Sequence, residues 1–267
     1  MTDGRHIIIG IIPARMSSTR FPGKPLKKIL SMPMIGHVYF RSRMSKILDE
    51  VYIVTPDKEI ADYAISIGAK FVMGRNDHPG CSDITAEAML KIEKDIGRKI
   101  DIVVMIQGDE PMIMPEMIDL AVMPMIKDPS IEVVNLMAPI RGDEEHADPN
   151  CPKVVVSKEN FALYFSREPI PSRKKWKKGG IPMFKQVCII PFKRDFLLQF
   201  NAWEPSPLER IESIDMNRVL EYGHKVKMVY EEFETYCVDT VEDLKKVEGY
   251  MSKDHLVETY GGDKHNN

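Results

Sequence analysis

No apolar stretch in this chain of 267 residues is long enough to cross a bilayer, and none has the form of a cleaved export signal. The most hydrophobic segment, His6-Ile7-Ile8-Ile9-Gly10-Ile11-Ile12, stops at Pro13-Ala14-Arg15 and reads as a strand buried on both faces. Cysteine is sparse: Cys81, Cys151, Cys188 and Cys237 are scattered without a CxxC pair, which argues against a disulfide framework or a structural zinc site. Together these absences predict a cytoplasmic protein with no membrane segment. No charge of one sign prevails: the formal net charge is −3, so no global basic field draws in nucleic acid, and a polyanionic ligand must be met by local cations. Internal repeats and low-complexity linkers are also missing.

What is present is an alternation of strands and helices. Apolar runs at Ile7–Ile12, Val51–Thr55, Phe71–Met73, Ile102–Ile106 and Ile131–Met137 are separated by helical patterns at 33–45, 57–67, 82–96 and 115–126. This predicts an α/β fold with a mostly parallel, Rossmann-like sheet covered by helices. Ligands in such folds sit beyond the carboxyl ends of the strands, which directs attention to the loops after the first and fourth strands. Past about residue 140 the rhythm changes. Strands are expected at 153–156, 161–165, 186–192 and 225–230, with a long helix over 207–222 and a last helix over 241–250. The expected division is a single domain over 1–251: a nucleotide-binding part to about 140, a smaller lobe over about 141–230, and a final strand and helix over about 231–251. Residues 252–267 read as a polar tail.

Three places carry candidate chemistry. The loop Pro13-Ala14-Arg15-Met16-Ser17-Ser18-Thr19-Arg20-Phe21-Pro22-Gly23-Lys24-Pro25 brings cations, hydroxyls and a glycine together after a buried strand, a composition suited to a triphosphate. The spacing is not that of a P-loop, and a solvated basic turn fits it equally well. Gln107-Gly108-Asp109-Glu110-Pro111 ends the fourth strand, where a carboxylate can hold Mg²⁺ against phosphate; a plain turn into a helix is the competing reading. Val238-Asp239-Thr240 precedes a helix, and Thr240 reads as its N-cap.

These segments, in this order, resemble the 3-deoxy-manno-octulosonate (Kdo) cytidylyltransferases, also called CMP-Kdo synthetases. Further segments extend the resemblance over about 7–247: Pro33-Met34-Ile35 with His37-Val38, Asn150 with Lys153-Val154-Val155, Ala162-Leu163-Tyr164-Phe165-Ser166-Arg167, and Pro207-Leu208-Glu209 with Glu212. The resemblance implies transfer of CMP from CTP to a sugar acid with release of pyrophosphate, Mg²⁺ as cofactor, and a homodimer formed through the smaller lobe. It implies that Lys24, Asp109 and Asp239 are catalytic and that the two aspartates hold the metal. Nucleotide binding would fall to Pro13, Ala14, Arg15, Ser18, Thr19, Arg20, Lys24, His78, Ser82, Asp83, Gln107 and Gly108. The anionic acceptor would meet Arg167, Gln186, Ile190, Asp215, Met216 and Arg218.

The chain departs from the family pattern in two regions. The segment His-x-Ser-Gly-Thr-Asp-Arg stands here as His78-Pro79-Gly80-Cys81-Ser82-Asp83-Ile84, without the arginine. On the acceptor side, Gln186, Ile190 and Met216 replace an imidazole, a phenol and an amide. The second set favours an acceptor with fewer hydroxyls than unmodified Kdo, or with an apolar or N-acyl substituent; the alternative acceptors are a nonulosonate, a modified octulosonate or a phosphonate. A non-catalytic nucleotide-binding protein is the alternative from another class, and the retained Lys24, Asp109 and Asp239 speak against it.

Overall fold

The computed structural model describes residues 6–17, 21–175, 182–234 and 236–261. The elements run β1 (Ile8–Pro13), a 3₁₀ turn (Lys24–Leu26), β2 (Lys28–Ile29), β3 (Met32–Pro33), α1 (Met34–Arg43), β4 (Glu50–Thr55), α2 (Lys58–Ser66), β5 (Lys70–Met73), α3 (Cys81–Ile96), β6 (Ile102–Ile106) and α4 (Pro115–Lys127). They continue with β7 (Val134–Pro139), α5 (Asp143–Ala147), β8 (Lys153–Val156), β9 (Ala162–Ser166), β10 (Phe184–Val187), β11 (Ile189–Lys193), α6 (Arg194–Ala202), α7 (Pro207–Glu212), α8 (Met216–Glu221), β12 (Lys227–Tyr230), α9 (Val241–Met251) and α10 (His255–Gly261). The chain divides into two compact units, Met1–Asp119 with Thr235–Asn267, and Leu120–Glu234.

In the first unit the parallel strands lie in the order β6-β1-β4-β5. Ile8, Ile9, Ile11 and Ile12 of β1 are all buried, as its unbroken apolar run predicts for a central strand. The chain winds outward from β1 through β4 to β5 and then returns to β6 on the other side of β1. The winding reverses between β1 and β6, so their carboxyl ends flank the crevice where open α/β sheets bind ligands. An added Cβ on Gly108 would lie 3.2 Å from the Pro13 carbonyl oxygen, so a larger residue there would push the two strand ends apart by a few tenths of an ångström.

The second unit is built on the sheet β12-β7-β10-β8-β9, in which β12 runs parallel to β7 and the other pairings are antiparallel. Two elements differ from the sequence-based expectation. The strand expected over 186–192 is two strands, β10 and β11, parted at Cys188. The helix expected over 207–222 is broken into α7 and α8 at Ser213, whose φ is 53°. Arg167 supplies the reason. Its Nε donates to the Glu212 carbonyl (2.6 Å) and its Nη2 to the Ser213 carbonyl (3.1 Å), so a side chain satisfies carbonyls that a continuing helix would have used. The second compact unit begins at Leu120, and no strand forms among the described residues of 231–240. Part of the segment read as a polar tail is α10.

Glu231, just past β12, is 3% exposed. Its Oε2 accepts from the Phe233 amide, while among the described residues no donor reaches its buried Oε1. Burial raises its pKa from 4.5 to about 7, with the Phe233 amide and Lys185 opposing. The unfolded chain releases this proton near pH 4.5 and the folded chain near 7, so stability falls as pH rises across that window. At about 1.4 kcal/mol per unit, the ionised carboxylate costs roughly 3 kcal/mol above pH 7. Glu231→Gln is therefore expected to raise stability at pH 8 and to leave it nearly unchanged at pH 5. Urea unfolding at both pH values checks this, and a pH-independent difference would refute it.

Candidate active site

Three segments of the first unit converge where β1 and β6 end. The loop after β1 is held by backbone contacts. The Ala14 amide donates to the Val54 carbonyl (2.9 Å), the Gly23 amide to the Met16 carbonyl (3.1 Å), and the Met16 amide to Asp57 Oδ2 (2.7 Å). Gly23 takes the left-handed conformation (φ 70°), which turns the chain into the 3₁₀ turn that begins at Lys24. The second segment is Gln107-Gly108-Asp109 at the end of β6. The third is tied to it directly, since the Val238 amide donates to the Asp109 carbonyl (2.9 Å). Thr240 caps α9: its Oγ1 accepts from the Asp243 amide (3.1 Å) and Asp243 Oδ2 answers the Thr240 amide (2.9 Å). Cap and backbone link together hold Asp239 beside Asp109.

Lys24 joins the two carboxylates. Its Nζ lies 2.9 Å from Asp109 Oδ2 and 3.2 Å from Asp239 Oδ1. Burial alone would lower the ammonium's pKa; Asp109, with Cys237 and Asp239 adding to it, outweighs burial and raises it. Lys24 therefore stays charged at any physiological pH. Asp109 Oδ1 is buried and, among the described residues, accepts no hydrogen bond. Carboxylate oxygens of Asp109 and Asp239 and the Cys237 sulfur lie within 4.8 Å of one another. A pair of hard oxygen donors, one of them an orphaned buried acceptor, fits a divalent cation that prefers oxygen ligands. Cys237, with no sequence signal beyond its place two residues before Asp239, was not among the expected site residues.

Where β1 ends, a cavity of about 60 Å³ opens to solvent, lined by Pro13, Ala14, Arg15, Pro56, Arg75, Asn76, His78, Gly80, Cys81 and Ile84. It gathers four of the expected nucleotide-binding residues: Pro13, Ala14, Arg15 and His78. Ser82 is buried and Asp83 half-buried in the first turn of α3, and Gln107 is half-buried at the end of β6. Ser18, Thr19 and Arg20 lie outside the described residues. Asn76, Pro56 and Arg75 were not singled out from the sequence.

The expected acceptor residues lie in the second unit. Arg167 is engaged by three backbone carbonyls, those of Glu212, Ser213 and Pro149. Arg218 forms a two-pronged pair with Glu209 (2.7 and 2.5 Å) and stacks over Phe200. Gln186 Nε2 donates to Asn135 Oδ1 (2.6 Å). Burial of its carboxyl, reinforced by Glu209, raises Asp215 to about 6. Ile190 and Met216 are 1% and 0% exposed. Packing in the core accounts for their apolar character without reference to an acceptor.

A junction of parallel strands that presents a cationic loop to paired carboxylates is the arrangement of a metal-assisted nucleotidyltransferase. The family model described as cytidylyltransferase matches residues 9–246, and the chain belongs to that family of enzymes. Its curated relatives carry a more particular name. The 3-deoxy-manno-octulosonate cytidylyltransferase of Syntrophotalea carbinolica is 38% identical over 91% of this chain and 98% of its own length. That of Geobacter metallireducens is 39% identical over 92% and 98%. Among solved structures, a CMP:2-keto-3-deoxy-manno-octonic acid synthetase complexed with CTP superposes with a TM-score of 0.85 at 35% identity, covering 92% of this chain and 99% of its own. A 4-diphosphocytidyl-2C-methyl-D-erythritol synthase from Anaerococcus prevotii, 15% identical with a TM-score of 0.61, shares the fold. No helix among the described residues is long and apolar enough to cross a membrane.

Proposed function

We propose that this protein transfers CMP from CTP to 3-deoxy-manno-octulosonate and releases pyrophosphate. The observation that carries the reading is the Lys24–Asp109–Asp239 cluster at the switch point of the sheet, in a chain whose relatives carry that activity in their names. The anomeric hydroxyl oxygen attacks the α-phosphorus, the bond from that phosphorus to the β-bridging oxygen breaks, pyrophosphate leaves with the electron pair, and the hydroxyl proton passes to solvent. Lys24 and Arg15 neutralise phosphate charge, and the backbone of the loop and of Gly108 allows close approach to the oxygens. Asp109 and Asp239 would hold Mg²⁺, which when bound neutralises phosphate oxygens as charge builds on them. Copies of the second unit form the homodimer.

The test is pyrophosphate release from CTP with Mg²⁺ and each of Kdo, a nonulosonate and a phosphonate. Kdo is expected to be used with the highest kcat/KM. A clear preference for another acid would overturn the acceptor and restore the reading of Gln186, Ile190 and Met216 as a rebuilt pocket. Failure with every acceptor, in a protein that binds CTP, would favour a non-catalytic nucleotide-binding role.

A further inference from the structure

Glu87 lies on α3, outside the residues assigned so far, yet it organises one wall of the cavity. Its Oε2 accepts from the Arg75 amide (3.0 Å) and meets His78 Nε2 at 2.5 Å, and its Oε1 pairs with Lys91 Nζ at 2.7 Å. His78 and Glu87 side chains are 11% and 17% exposed. The loop that Glu87 clamps, 74–80, supplies Arg75, Asn76, His78 and Gly80 to the cavity. The loop's first residue is held independently. The Gly74 amide donates to the Thr55 carbonyl (2.9 Å), and an added Cβ there would lie 2.8 Å from Ile84 Cδ1.

The clamp also decides which imidazole nitrogen carries the proton. Burial would raise the Glu87 carboxyl, but the Arg75 amide, Lys91 and His78 bring it down to about 2. An ionised carboxylate only accepts, so the shared hydrogen sits on Nε2. In the neutral ring Nδ1 is then an acceptor.

We propose that Glu87 is a positioning residue that fixes the 74–80 loop and presents His78 as a hydrogen-bond acceptor for the exocyclic amine of cytosine, so that the pair favours CTP over UTP. The inference rests on assigning this cavity to the nucleotide base. Cytosine carries a donor at position 4 where uracil carries an acceptor. An acceptor on the protein pairs with the first and leaves two lone pairs opposed with the second. The expected discrimination from one such contact is about tenfold to a hundredfold.

Calorimetric titration of CTP and UTP, without acceptor, tests this on the wild type, Glu87→Ala and His78→Leu. Heteronuclear NMR of the histidine rings reads the tautomer directly. The wild type is expected to bind CTP at least about tenfold more tightly than UTP, with His78 in the Nε2–H form. Glu87→Ala should lose most of that ratio and the fixed tautomer, and His78→Leu should lose the ratio by the same factor. If Glu87→Ala weakens CTP and UTP equally, or His78 keeps its tautomer without the carboxylate, Glu87 has a structural role only and the proposal fails. A wild type that binds neither nucleotide would overturn the assignment of the cavity itself, and one that binds both equally would overturn the specificity inference alone.

Discussion

Asp109→Asn is expected to lower kcat by about 10³-fold, and Asp239→Asn by a similar factor, with little change in the unfolding midpoint. The substitution keeps the shape of the side chain and removes only its charge, so the loss measures electrostatics. Each single variant still offers Lys24 one carboxylate, which is why the fold should tolerate it: the ammonium sits 2.9 Å from Asp109 and 3.2 Å from Asp239, and losing either leaves the other. The double variant separates catalysis from stability. Two ligands of one cation act as a unit, so its activity should fall no more than about tenfold below the worse single variant. Its stability should drop further than either single change, because Lys24, 13% exposed at its side chain, would lose both of its carboxylate partners. Steady-state pyrophosphate release beside urea unfolding checks both statements. Near-wild-type turnover in either single variant would remove that aspartate from the metal site.

How far the sequence announced this arrangement depends on how local each signal is. The run Ile7–Ile12 is legible because a strand buried on both faces needs apolar residues at successive positions, and β1 lies where that run predicts. The N-cap at Thr240 is legible because its capping partner, Asp243, lies three residues on. Contacts over long separations are not legible. Nothing near Met16 announces that its amide will find Asp57, or that Arg167 will take the carbonyls of Glu212 and Ser213 and end a helix there. Ile190 and Met216 show a different limit. An apolar residue reads alike in sequence whether it lines a pocket or fills a core, and burial alone distinguishes the two. Asp109 and Asp239, 130 positions apart, were paired by resemblance to a family; the Val238 amide bonded to the Asp109 carbonyl is the physical link that brings them together.

Arg41→Met is expected to destabilise the protein by about 3–5 kcal/mol, the usual loss when one partner of a buried ion pair is removed. Arg41 is 0% exposed; its Nη1 donates to the Ile113 carbonyl (3.4 Å), and its side-chain partners come from the far end of the chain. Nη2 pairs with Asp254, Nε donates to Tyr260 Oη (2.8 Å), and the guanidinium lies 5.6 Å from the Tyr260 ring centroid. With a neutral His37 ring the network has one consistent set of protons. Arginine only donates, so Tyr260 Oη accepts from it and gives its own hydrogen to His37 Nδ1 (3.0 Å); His37 Nε2 then carries a proton and donates to the Ile29 carbonyl (2.9 Å). Burial, with Arg41 adding to it, lowers the His37 pKa, which agrees with a neutral ring. The chain of bonds runs from α10, outside the 9–246 span matched by the family model, to β2, a few residues beyond Lys24. Ending the chain after Ser252 removes Asp254 and Tyr260 together and leaves the Arg41 charge buried without them, so its cost should be of the same order, about 3–5 kcal/mol. Combining the truncation with Arg41→Met should cost clearly less than the two losses added, since each removes the other's stranded partner. Urea denaturation of the four proteins gives the coupling energy, and strict additivity would show that α10 and Arg41 stabilise the fold independently.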